Sequence, residues 1–385
     1  MPTPQEKQKK TNKKFSRKNE SLDPRKLTKK VKLNQIVAKS TKEHHAEKYV
    51  KKHKRADIAK ALILTAAIQP ERGTYTATME AIYRKVIQAE TPSPSTISRS
   101  MSRLVDPLWQ VFKYYSTKLD RNLVPRHATK ILVLDVKGIP TKIQIAEKGY
   151  VKDAIRKGIK LGILTVNGVP RDFKVSKGNR HDVNFLDYLR DSIGKEGQGA
   201  VLLLDSGFID IARLAELLKA GVGFVCRARS NMMGDEFVEV KRFGDFEVEV
   251  WMKHVSGVDF RLFIYRDRRG SEFKILSSLC DPILVLRLYR VRWSIEILFR
   301  RLADLGFRLL GRSLEAVVVS VLVFLVALLV LRLYATLARR AFCVPCLRRR
   351  LLRWLFKFDF WYDVRARNSA RLRRICMDAS EVLQK

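Results

Sequence analysis

An α/β fold is predicted for the middle of this 385-residue chain, between an all-α N-terminal region and a helical C-terminus. Two continuous apolar runs, Ile131-Leu132-Val133-Leu134 and Ala200-Val201-Leu202-Leu203-Leu204, have the composition of strands buried on both faces. Between them, Asn167-Gly168 separates two strand-like segments as a tight hairpin turn. On either side of this region apolar residues recur at helical spacing. A chain of this length can bury a substantial core, and two or three domains are expected.

Residues 1 to 55 are lysine-rich and poor in apolar side chains, the composition of a disordered basic arm. From 56 to 128 the pattern is helical: Ile58, Ala61, Leu62 and Leu64 form one stripe, and a second helix is predicted over Met79 to Gln88. Thr91 to Leu104 then combines proline at a first turn with serine and threonine caps. Ile97, Met101 and Leu104 form its inner stripe, with Ser98, Arg99, Ser102 and Arg103 outside. A short helix of this kind suits the recognition helix of a helix-turn-helix, and equally an ordinary helical hairpin.

The predicted α/β order over 129 to 312 is strand, hairpin, helix, strand, helix, strand. The first strand ends at Asp135. The hairpin covers Lys160 to Val166 and Arg171 to Ser176, and a helix runs from Asp182 to Asp191. The second apolar run ends at Asp205, followed by helix Asp210 to Ala220 and strand Gly223 to Ala228. Residues 236 to 279 break the alternation with short antiparallel strands, a β-rich insertion. From 313 to 385 the chain reads as an apolar helix and then a basic helical segment. In that segment Arg348, Arg349, Arg350, Arg353, Arg365 and Arg367 interleave with Trp354, Phe356, Phe358 and Trp361. That mixture suits either a nucleic-acid contact surface or a helix with its aromatics turned inward.

The formal net charge is +37. Self-repulsion of that size calls for a polyanionic partner, with nucleic acid first and an anionic membrane surface second. Five cysteines without regular spacing do not make a disulfide framework and point to a reducing, cytoplasmic setting. Cys343 and Cys346 form a lone CxxC with no second pair at zinc-finger spacing. No signal peptide is expected ahead of the basic arm. The uncharged run Ala316 to Leu331 falls short of the roughly 18 to 20 residues a bilayer needs and reads as a buried core helix, so a membrane is not favoured.

Tyr289, Arg292 and Glu296 stand at i, i+3 and i+7, so one helix would stack a phenol, a guanidinium and a carboxylate on one face, with Leu288, Val291, Ile295 and Leu298 packing it down. Alone, that face fits an amphipathic helix with a surface ion pair. Asp135 and Asp205 change the weighing, because an ionised group closing a buried strand is costly unless it is solvated, paired or bound to a metal. Three converging carboxylates repel until divalent cations neutralise them, and hard oxygen donors select magnesium or manganese. Two such ions about 4 Å apart suit phosphodiester chemistry. Asp153, with no apolar strand before it, is the weaker choice for the first aspartate; Asp182 reads as a helix cap with His181 beside it.

Taken in order, these pieces resemble an insertion-sequence DDE transposase with a ribonuclease H-like catalytic domain. The group is the one whose third acidic residue lies in a Tyr-x-x-Arg-x-x-x-Glu-x-x-x-x-x-x-Lys signature. The resemblance runs from about Leu132 to Arg312. It is carried by Leu134-Asp135, by Gly178-Asn179-Arg180-His181-Asp182, by Leu204-Asp205-Ser206-Gly207-Phe208 and by Tyr289-x-x-Arg292-Trp293-x-Ile295-Glu296. It implies a ribonuclease H-like mixed sheet with a β-rich insertion, and Asp135, Asp205 and Glu296 as ligands of two magnesium or manganese ions. It further implies Tyr289 and Arg292 at a phosphate, DNA strand cleavage and transfer, and a homodimer on paired transposon ends at the nucleoid. Ala303 stands where the signature has lysine, with Arg300 and Arg301 nearby as replacements at the phosphate. Arg99 and Arg103 are the further candidate DNA contacts. A catalytically inactive, transposase-derived DNA-binding protein is the second reading.

Overall fold

The structure is a computed structural model. It describes residues 22–44, 53–68, 75–123 and 129–356, apart from residues 144, 152–153, 198, 245, 256, 267, 269 and 339–340. The chain divides into two compact units, one of residues 116–300 and one built from both ends, residues 1–115 with 301–385. The helical regions that the sequence reading kept apart therefore belong to one body.

Five helices come first: α1 (Pro24–Lys30), α2 (Leu33–Glu43), α3 (Arg55–Ile68), α4 (Tyr75–Ile82, extended by a wide turn over Tyr83–Ile87) and α5 (Pro94–Leu123). The first two correct the expectation of a disordered arm. Leu27, Val31 and Leu33 are fully buried, and these few apolar residues suffice because the lysines between them point outward. Asp23 caps α1 by accepting from the Arg25 N–H at 2.8 Å. The rest of the arm, residues 1–21 and 45–52, lies outside the described residues. The short helix expected near Thr91 is instead the start of a 30-residue helix, α5. Its inner stripe continues without a break through Met101, Leu104, Leu108, Phe112, Tyr115 and Leu119, which carries the helix past Pro107. Ser40 Oγ donates to the Pro107 carbonyl at 2.6 Å and Tyr115 OH to the Val31 carbonyl at 2.9 Å, tying α2 and the α1–α2 turn to α5.

The second unit is a mixed sheet. Its first four strands are β1 (Ile131–Pro140), β2 (Glu147–Val151), β3 (Ala154–Val166) and β4 (Val169–Lys177). Asn167 (φ 51°) and Gly168 (φ 72°) make the β3–β4 turn as expected, with positive φ at both positions. Helices α6 (Asn184–Tyr188) and α7 (Arg190–Gly197) replace the single helix predicted there. They are followed by β5 (Val201–Leu204), α8 (Ile211–Lys219) and β6 (Gly223–Arg227). Side by side the strands run β4-β3-β1-β5-β6; β1 is antiparallel to β3 and parallel to β5, and β5 is parallel to β6. This is a mixed sheet of the kind the resemblance implied. The insertion folds as β7 (Glu236–Phe243), β8 (Phe246–Val255), β9 (Val258–Arg266) and β10 (Glu272–Ser277). It joins the same sheet through the antiparallel pairing of β10 with β6. One expectation changes: β1 does not end at Asp135 but runs on to Pro140, because the long β3 pairs with it as far as Gly158.

One face of this sheet packs against α6, α7 and α8. Leu132, Leu134, Leu164, Val166, Leu202, Leu204, Phe224 and Cys226 point into that layer, where they meet Phe185, Leu189, Ile193 and Leu214. At Gly162 the Phe185 ring lies where a Cβ would stand, so only glycine admits the ring there.

The last helices are α9 (Pro282–Val291), α10 (Trp293–Asp304), α11 (Leu314–Leu337) and α12 (Val344–Phe356). At 24 residues α11 exceeds the uncharged run at its centre. It is the one helix among the described residues long and apolar enough to cross a membrane. It is apolar all round and buried, and in the helical unit it packs against α3, itself buried on nearly every side. Mutual burial explains why neither helix needs a polar face. Ser313 caps α11, and Ser320 satisfies its hydroxyl on the Ala316 carbonyl at 2.6 Å. Arg348 and Arg350 are turned inward rather than presented on a contact surface, Arg348 donating to the Asp304 carbonyl. The Cys343 and Cys346 sulfurs approach to 2.6 Å at the start of α12, and no third metal-ligating side chain joins them among the described residues. The remaining basic and aromatic residues, 357–385, lie outside the described residues.

Replacing Gly162 by alanine forces Phe185 out of its place and is expected to destabilise the protein by about 1–3 kcal/mol. A fall in the urea unfolding midpoint measures it, and Phe185→Leu in the same chain should return part of the loss.

Candidate active site

The parallel pairing of β1 with β5 builds the site. Ile131 pairs with Val201, Leu132 with Leu202 and Val133 with Leu203, so the same offset carried two residues on places Asp135 beside Asp205. Side chains alternate along a strand, and both aspartates fall on the face opposite α6, α7 and α8, with Val133 and Leu203. Asp205 continues β5 in extended conformation (φ −91°, ψ 170°) into a single tight turn, Ser206–Phe208. Its carbonyl accepts from the Cys226 thiol at 3.3 Å and from the Phe208 N–H at 3.1 Å. Asp135 is half-buried and accepts from the Val136 N–H at 2.8 Å.

The third carboxylate comes from the helix pair α9 and α10. Asp281 caps α9 by accepting from the Ile283 and Leu284 N–H groups, and Tyr265 OH donates to the Pro282 carbonyl at 2.6 Å, pinning the helix start to β9. The single helix expected through Tyr289, Arg292 and Glu296 is two helices meeting at Arg292. That residue keeps helical angles (φ −49°, ψ −36°), so the shared face survives the break. Val285, Ile295, Leu298 and Leu302 anchor the pair, while Val291, expected among the anchors, is 36% exposed and Trp293 is 52% exposed. Arg292 donates from Nη2 to Glu296 Oε1 at 2.8 Å, and its guanidinium carbon lies 5.5 Å from the Tyr289 ring centre.

Electrostatics join these elements. Burial, reinforced by the charges of Asp205 and Glu296, pushes Asp135 up to about 6 against the opposing pull of the Val136 N–H and Arg292. Burial would lower Arg292, yet Tyr289, Asp205 and Glu296 together hold it above its ordinary value. Burial also raises the Tyr289 phenol and the Cys226 thiol. Three acids and one guanidinium thus share one partly desolvated field. Their oxygens are the donor type a hard divalent cation takes. No three acidic, histidine or cysteine side chains are drawn into a closed metal-holding group among the described residues, and Glu296 is satisfied by Arg292. The Arg292 Nε is buried with no hydrogen-bond partner.

Other expected residues stand elsewhere. Arg300 is exposed on α10, and Arg301 lies against the Phe342 ring at 4.8 Å. Ala303 is exposed. Arg99 and Arg103 are exposed on α5, within the helical unit. Asp182 does not cap the following helix; it pairs with Lys160 at 2.7 Å and lies beside Gly207, in the turn after Asp205. Asp153 lies outside the described residues. Sequence reasoning passed over Lys160, Cys226 and Arg227, whose charge acts on the Tyr289 phenol. Cys226 points to the opposite face of the sheet and meets Asp205 at its backbone carbonyl, through a pairing of β6 with β5 at Leu204 that no local motif marks.

The sheet and its carboxylate-bearing face define an α/β domain of the DDE class. The chain belongs to the DDE transposase family: residues 126–331, more than half of its length, match the transposase DDE domain. No curated protein matches the chain. Among solved structures it is similar to a piggyBac transposase in a synaptic complex with hairpin DNA, with 11% identity and a TM-score of 0.46 over 84% of this chain and 77% of that one.

The raised Asp135 has a stability consequence. Its folded value lies above its unfolded value, so its protonated form favours folding, and this contribution is complete below about pH 4 and lost as pH rises through about 6. In metal-free buffer Asp135→Asn should match wild type near pH 3.5 and exceed it by about 3 kcal/mol at pH 7.5. Chemical denaturation at the two pH values measures the difference.

Proposed function

We propose that the chain cleaves DNA strands at the ends of a mobile element and joins the freed 3′ ends to target DNA. The observation that carries this reading is the register of β1 and β5, which sets Asp135 level with Asp205 within the field of Glu296 and Arg292. Asp135, Asp205 and Glu296 are the residues that would hold magnesium or manganese, two ions being expected. When bound, such ions supply activation of the attacking water or hydroxyl and neutralisation of the leaving oxygen. Arg292 holds Glu296 in place, and its unpartnered Nε is a donor suited to a phosphate oxygen. Tyr289 shields that guanidinium from water on one side. DNA is the partner through the formal charge of +37 and the exposed Arg99, Arg103 and Arg300. We place the protein at the nucleoid in the cytoplasm, acting as a homodimer on paired ends.

Ala303 at the signature lysine position, with Arg301 engaged by Phe342, favours a second reading: a DNA-binding protein of this family without strand-cleaving activity.

A duplex carrying the terminal inverted repeat, incubated with magnesium or manganese, separates the two. Wild type should nick the repeat end, while Asp135→Asn, Asp205→Asn and Glu296→Gln should each lose more than roughly a hundredfold in rate and keep DNA affinity. Equal inactivity of all four proteins with DNA binding intact would establish the second reading. Arg292→Ala should cost the cleavage rate on the order of 10²-fold, the scale of losing one donor aimed at a developing charge. Single-turnover cleavage at saturating DNA measures it.

A further inference from the structure

Strand β4 lies at an edge of the sheet, paired with β3 on one side. There Lys174, Val175, Ser176 and Lys177 of the strand, Arg180 of the loop after it and Tyr188 of α6 line an open groove of about 340 Å³. Three cations and no carboxylate line it. The acids around it are answered within the fold: Asp182 by Lys160 at 2.7 Å, Asp187 by Arg213 at 2.9 Å, and Glu147 by Lys177. Lys174 and Arg180 are exposed and have no ion-pair partner among the described residues, so their charge is left uncompensated. Lysines on an outer strand ordinarily do no more than solvate the edge. The tyrosine departs from that use. Tyr188 is 41% exposed, and its ring is held edge-to-face on Phe185 at 5.5 Å, with Phe185 itself fully buried over Gly162. A fixed ring beside cations can take up a flat, anionic ligand at little cost in side-chain freedom.

We propose that this groove holds a single strand of DNA, with Lys174 and Arg180 on its phosphates and Tyr188 stacked on one base. The proposal rests on the DNA-cleaving reading above and adds a hold for a strand that cleavage releases. An exposed ring favours a single strand, because a duplex keeps the faces of its bases stacked inside. Any base has a face to stack, so the hold carries no sequence preference. Lys174 pairs with Gly162 and Ser176 with Lys160, on the face of the sheet opposite to Asp135 and Asp205. The groove is therefore separate from the carboxylates, and its variants leave them untouched.

Two measurements on the full chain test it. In the first, a bound single strand carrying 5-iodouracil is irradiated and the crosslinked residue identified; Tyr188 is expected, and crosslinks that map only elsewhere overturn the groove. The second compares the affinities of a short labelled single strand and a duplex. Tyr188→Ala should weaken single-strand binding by at least about fivefold, the low end for one base stacked on an aromatic ring. Tyr188→Trp keeps a ring and should keep the affinity, and neither variant should change duplex binding. Lys174→Gln and Arg180→Gln should each lower the slope of log single-strand affinity against log salt by about 0.7, and the double variant by about 1.4, one phosphate for each cation. Unchanged single-strand affinity in Tyr188→Ala, an equal loss on the duplex, or unchanged slopes in both charge variants overturns the proposal. Should Tyr188→Ala fail to fold, the charge variants, at exposed positions, decide through their slopes. Wild type that binds neither strand nor duplex sinks the DNA reading itself. Wild-type binding that no variant alters sinks only this groove.

Discussion

The parallel pairing of β1 with β5 is the constraint on which the site depends. Parallel strands repeat their register evenly, so aligning Val133 with Leu203 leaves Asp135 and Asp205 level with each other. A slip of one residue would turn one aspartate into the layer of Phe185 and Leu214 and put an apolar side chain in its place. The apolar residues before each aspartate are therefore what hold the register. Leu132, Leu134, Leu202 and Leu204 are fully buried against α6, α7 and α8, and the acids emerge on the other face as a consequence.

Burying an acid in the sheet beside other acids costs free energy, and the cost is visible in Asp135, which burial first and the neighbouring charges second raise to about 6. Arg292 offsets part of it. Its position at the junction of α9 and α10 lets the guanidinium face Tyr289 on one helix and Glu296 on the next. The pairing with Glu296 means that the third carboxylate is held by a cation of the protein itself. Such strain at a cluster of acids is the ordinary signature of a site built for a charged ligand rather than for stability.

The helical unit solves a different problem. Its two central helices, α3 and α11, are buried on nearly all sides, so most of that unit's charge is carried by the helices and segments around them. Arg55, Arg348 and Arg350 are cations taken inside. Periodicity misled at three places for one reason, that packing partners decide how far an element extends. The arm held helices because a few leucines and valines found a core. The recognition-like helix continued to Leu123 because its stripe did not stop. The apolar run proved to be the middle of a longer helix, whose Leu333, Tyr334 and Ala335 beyond Arg332 are buried with it.

Much of the site was legible from residue order alone. Aspartates that end apolar runs, the Asn167-Gly168 turn and the Tyr289, Arg292, Glu296 spacing are local features, and local chemistry determines them: β-propensity, turn geometry and helical period. The family follows from that order. Only the tertiary structure decided which strand lies beside which and how the insertion joins the sheet through β10 and β6. It also decided that Asp182 answers Lys160 instead of capping a helix, and that Arg301 lies against Phe342. These depend on pairings between residues far apart in the chain, which no local propensity encodes and which burial of the whole core selects.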